Sequence, residues 1–157
     1  MISFVQEIGL PVSVESIDEP SFLPGIMIKD GGLVIDPDKL LYPGDILHEA
    51  GHLAVMPPDV RATLNGDLDP ALDWEYSGEL MAIPWSYAAC LHLKLDPAVV
   101  FHNYGYRNGS QSIIDNFTRG QYFGVCTLEW IGLCYEPKRN KAYDAAPYPN
   151  MIKWLRE

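Results

Sequence analysis

A chain of 157 residues, 48% of them apolar, is long enough for one domain with a real core. Its formal net charge of −10 at pH 7 opposes both a nucleic-acid partner and an anionic membrane surface, since each needs clustered Lys and Arg. No apolar run approaches the length that spans a bilayer. Met1–Glu7 lacks a basic region followed by a long apolar run, which predicts no signal peptide. Cys90, Cys126 and Cys134 form no metal-ligand spacing, and their odd number predicts reduced, buried thiols in a cytoplasmic protein.

In chain order, residues 1–24 are punctuated by Pro11, Pro20 and Pro24, with short strands expected around Phe4–Ile8 and Val12–Ile17. Two β-branched apolar runs, Ile26–Ile28 and Leu33–Ile35, flank Asp30-Gly31-Gly32 and predict a hairpin. Pro37 removes a ladder donor and ends the second strand. Leu33–Ile35 either offers an edge to an extended substrate by strand addition or only covers the core. A helix over Asp45–Val55 follows, with Asp45 as its expected cap and Pro57-Pro58 as its stop. Gly51 inside it costs roughly 1 kcal/mol relative to Ala and therefore predicts a close neighbour.

A polar connection over residues 59–70 contains an Asn65-Gly66 turn. Asp69-Pro70 then starts a helix over Ala71–Ile83, which Pro84 is expected to kink or interrupt before it resumes through Leu95. Asp96-Pro97 repeats the start signal for a short helix to Asn103. A Gly- and Tyr-rich loop runs from His102 to Gly109, and Ser110 caps a helix closed by Gly120. Residues 122–135 fit a helix better than a buried strand, and 137–149 read as a loop. Pro149–Arg156 reads as a last short helix with Ile152 and Leu155 turned inward. The expected class is α+β: one domain over 1–157, with an N-terminal hairpin or sheet packed on a metal-binding helix and further helices.

The chemistry concentrates in His48-Glu49-Ala50-Gly51-His52. Residues four apart share a helix face, so His48 and His52 project together and can hold one metal ion. Glu49 lies one residue round, placed to take a proton from an activated water and not to serve as a ligand. The alternative is a helix with two satisfied surface or core imidazoles. A catalytic zinc takes three protein ligands, and Glu75 and Glu79, four apart, are the acids within reach. Ala82, Trp85 and Ala89 give Glu79 the more core-facing surroundings, so Glu79 is the expected ligand and Glu75 its support, with the reverse left open. An oxyanion donor is expected from His102, Tyr104, Tyr106 or Arg107, with His102 and Tyr106 foremost; the competing reading is a packing loop.

These motifs carry a resemblance. His48-Glu49-Ala50-Gly51-His52 followed by a helical Glu resembles the gluzincin metallopeptidases. The layout Gly32-Leu33-Val34-Ile35-Asp36-Pro37, a short link, then Ile46-Leu47-His48-Glu49-Ala50-Gly51-His52-Leu53 resembles the minimal peptidases that cleave phage and stress-response repressors. That family takes its third ligand from a Glu opening a small-residue helix, and Glu79-Leu80-Met81-Ala82 is similar in kind. The resemblance covers residues 25–90 and implies a zincin-like fold, bound Zn2+ and hydrolysis of a peptide or protein substrate. The alternatives are a non-catalytic metal-binding or protein-interaction module of the same fold, and a metal-dependent hydrolase of small amides.

Overall fold

The computed structural model describes residues 1–21, 23–66, 78–137 and 145–157. Strand β1 covers Val12–Val14, β2 Ile26–Lys29 and β3 Gly32–Ile35. The expected hairpin forms, with Lys29 opposite Gly32 and only Asp30-Gly31 between the strands. Both turn residues have positive φ, 48° and 71°, the primed geometry that matches the twist of two-residue hairpins. The sheet order is β1-β3-β2, with β1 parallel and β2 antiparallel to β3. A central strand is buried on both faces, which is why β3 reads as a continuous small-apolar run. Its ladder is filled on both sides, so substrate cannot add to Leu33–Ile35, and that expectation is corrected.

Helix α1 covers Ile2–Glu7, in place of the short strand expected around Phe4–Ile8. Adjacent Phe4 and Val5 are both buried on the inner face of this helix. Helix α2 spans Asp45–Val55, α3 Pro58–Arg61 and α4 is described over Gly78–His92. The helix start expected at Asp69-Pro70 lies outside the described residues. The α2–α4 pairing is the most extensive contact between elements. Gly51 makes it possible: a Cβ there would sit 3.2 Å from Ala82 O, Ser86 Oγ and a Trp85 ring carbon. The close neighbour predicted from the glycine is therefore α4.

Pro84 does not interrupt α4, contrary to expectation. Proline deprives the carbonyl four residues earlier of its helical donor. That carbonyl, Leu80 O, faces the backbone at Gly124, where any Cβ would collide with it at 1.8 Å. The Pro84 carbonyl accepts a hydrogen bond from Tyr148 Oη at 2.8 Å. Tertiary contacts thus hold the helix through its breaker.

Beyond α4, Asp96 caps a single 3-10 turn over Pro97–Val99 in place of the longer helix expected. Helix α5 spans Ser110–Thr118 and α6 Val125–Trp130. The last segment is not helical. Met151 bridges to Cys134, and Ile152 N–H donates to Leu133 O at 2.8 Å. Ile152 is consequently 45% exposed, while Leu155 packs against the core as expected and Trp154 joins it, edge-on to Phe4 and Trp85 at 5.0 and 5.4 Å. Cys90 and Cys134 are buried, and burial pushes both thiols up to about 12, but Cys126 is exposed. The described residues form a small α+β domain of six helices and a three-stranded sheet. None of those helices is long and apolar enough to cross a membrane.

Candidate metal centre

Helix α2 presents the two imidazoles on one face, as the i, i+4 spacing requires. His48 Nε2 and His52 Nε2 lie 3.1 Å apart, with their ring planes at 87°. Glu79, in the first described turn of α4, brings Oε1 to 3.5 Å from His48 Nε2 and 3.6 Å from His52 Nε2. Among the described residues, His48, His52 and Glu79 form the group whose donor atoms converge, all within 4.8 Å of one another. Tetrahedral coordination with bonds near 2.1 Å needs donor separations of about 3.4 Å. The observed triangle has that size. Two facing imidazole nitrogens would otherwise repel through their lone pairs, so this arrangement calls for a proton or a cation between them. The donor set fits a metal ion.

The imidazoles form the floor and the carboxylate the rim. His52 is 4% exposed, His48 12% and Glu79 56%. Burial raises the Glu79 carboxyl, but hydrogen bonding to and charge on His48 and His52 outweigh it and hold it well below the usual carboxylate range. Glu79 therefore meets a cation already ionised. Burial pushes the Glu49 carboxyl up; His52 and His48 oppose that rise, and Asp45 and Glu79 reinforce it. Glu49 is not part of the converging donor group, as its place one residue round predicts. Glu75 lies outside the described residues.

The Gly-Tyr loop also reaches α2 beside the site. Tyr106 Oη lies 3.0 Å from His48 Nδ1. Burial raises the Tyr106 hydroxyl far above its ordinary value, helped by the charges of Glu79, Asp45 and Glu49, so the phenol stays protonated at neutral pH. His102 Nε2 lies 2.9 Å from Asp45 Oδ1, and its ring stacks on Tyr42 at 4.1 Å. Tyr104 is 83% exposed and stacks on the other side of this cluster, against Tyr42 at 5.5 Å. Arg107 is exposed and is not brought to the donors.

Asp45 is thus committed to His102 and does not cap α2, whose N-cap is Gly44. Ser110 likewise turns its hydroxyl to His102 O at 2.7 Å in place of capping α5. Sequence reasoning missed Asp45 and Tyr42 as neighbours of the site. Asp45 shares the helix face of His48 and Glu49, which is a usable signal. Nothing local links it to a histidine 57 residues away. Tyr106, Arg107 and Asn108 all have positive φ, 54°, 49° and 67°. Such conformations cost about 1–2 kcal/mol per non-glycine residue and persist only where the surroundings impose them. Compared with family models, with curated proteins and with solved structures, the chain shows no match, so the donor geometry itself carries the functional reading.

Proposed function

We propose that the chain is a zinc-dependent hydrolase of zincin-like fold that cleaves a peptide bond in a peptide or protein substrate. The observation that carries this reading is the convergence of His48, His52 and Glu79, closed by imidazoles below and open at the half-exposed carboxylate above. Two imidazoles and one carboxylate are a donor set of catalytic zinc, and an open side is what separates catalytic from structural sites. When bound, zinc would supply Lewis-acid polarisation of a carbonyl and acidify a water. His48, His52 and Glu79 would hold the ion. Glu49, its carboxyl raised by burial, would accept the proton of the attacking water and return it to the leaving amine. The unpaired cysteines support a reducing, cytoplasmic setting.

The test is metal analysis of the purified chain, followed by a peptide library read by mass spectrometry. One zinc per chain and cleavage products are expected. Glu49→Gln should keep the zinc and lose about 10²–10⁴-fold in rate, the worth of a positioned base. Zinc-loaded protein that cuts nothing yet captures a partner would replace this reading with a non-catalytic module.

A further inference from the structure

The loop passes through a left-handed run at Tyr106, Arg107 and Asn108. It turns the Tyr106 phenol onto His48, edge to face at 5.4 Å, with the hydroxyl 3.0 Å from Nδ1. The loop is fastened just upstream, where His102 meets Asp45 at 2.9 Å and accepts from Ser110 Oγ at 2.7 Å. Asp45 and His48 are three apart on α2, and His102 and Tyr106 four apart on the loop, so helix and loop join at two successive points.

We propose that Tyr106 is a positioning residue that fixes the tautomer and ring orientation of His48, so that His48 offers Nε2 to the metal. The proposal rests on the metal-centre reading but is independent of what the centre hydrolyses. A neutral imidazole carries one proton on its two nitrogens. Nε2 of His48 faces His52 Nε2 at 3.1 Å and Glu79 Oε1 at 3.5 Å, so that nitrogen must give its lone pair to the ion. The proton then belongs on Nδ1. In a ring only 12% exposed, an Nδ1–H needs an acceptor, and the Tyr106 oxygen is the one in place. Tyr106 meets the nitrogen that points away from the donor triangle. It acts through His48.

The test measures zinc dissociation constants by competition with a chromophoric chelator for wild type, Tyr106→Phe and the remote control Tyr122→Phe. Phenylalanine keeps the ring contacts with His48 and Phe101 and removes only the acceptor. A 10–100-fold weaker affinity is expected for Tyr106→Phe and a wild-type value for Tyr122→Phe. A Tyr106→Phe protein that binds zinc as wild type does would overturn the proposal, because a packing role survives that substitution. Long-range proton–nitrogen NMR of zinc-loaded wild type decides independently of any variant. A slowly exchanging proton on His48 Nδ1 supports the assignment, and coordination through Nδ1 overturns it. Wild type that takes up no divalent metal would instead overturn the metal-centre reading, a result distinguishable from both.

Discussion

The two ends of α2 are finished in opposite ways. At the C-terminal end every closing carbonyl has a donor. Arg61 donates to Leu53 O and Met56 O at 3.3 and 3.4 Å, and Arg156 donates from its backbone N–H to Ala54 O and from its guanidinium to Val55 O, at 2.9 and 3.2 Å. Cations there also oppose the negative end of the helix dipole. At the N-terminal end no side chain caps the helix. Asp45, which could do so, is spent on His102, and His48, one turn in, is engaged by Tyr106. One end secures the helix; the other forgoes a cap worth about 1 kcal/mol to organise the residues around the donors. The contacts that close the helix gather at one end of its 11 residues and the partners of Asp45 and His48 at the other.

Substitutions should respect that division. The largest expected effect is at the donors: His52→Ala removes stoichiometric zinc, read by metal analysis, while zinc content equal to wild type would leave the triangle without a role. Next comes the C-terminal end. Arg61→Ala strips donors from three carbonyls, those of Leu53, Met56 and Arg156, and should cost about 2 kcal/mol, several degrees in Tm, with zinc affinity unchanged. A matching fall in affinity would erase the distinction between the ends.

At the N-terminal end the pattern should invert. Asp45→Asn weakens the link to His102, so zinc affinity should fall by less than tenfold, since Asp45 is one step further from the donor triangle than Tyr106, and Tm should barely move. Thermal melting beside chelator competition checks both, and a large Tm loss with intact affinity would make Asp45 a structural residue after all. The smallest effect is at Asp36, which serves as a control remote from the donors. Its carboxylate accepts from Ile17 N–H at 3.0 Å and from Asp38 N–H at 3.1 Å, with Lys39 close by, and these hold it below the usual carboxylate range. A depressed carboxyl contributes stability above its unfolded pKa, about 3.9, and loses it as pH falls through the folded value. Asp36→Asn should therefore melt below wild type at pH 7 and converge with it in acid. A constant gap across pH 3–7 would mean that the carboxylate's charge is not what matters.

Features set by short-range chemistry were legible before the fold was known. Lys29-Asp30-Gly31-Gly32 encodes its own turn, and His48 and His52 share a face on any helix. Gly51 announces a close neighbour, though not which one. Several misreadings share a cause, which is competition for a polar group. Asp45 and Ser110 are good caps by residue type, yet each found a tertiary partner around His102. Pro84 is a helix breaker by residue type, yet the Gly124 backbone and Tyr148 accommodate the broken ladder. The final segment carries apolar residues at helical spacing, but its backbone bonds to residues 133–134 instead of to itself.

The sequence by itself determined the two imidazoles, the carboxyl beside them and the hairpin before them, because each depends on residues within a few positions of one another. Only the tertiary structure decided that Glu79 closes the triangle, that β3 is central and not an edge, and that Tyr106 stands behind His48. Those depend on contacts between residues 21 to 58 positions apart, whose register is chosen by packing α2 on α4, β1 on β3 and the loop on α2, and no local propensity specifies it.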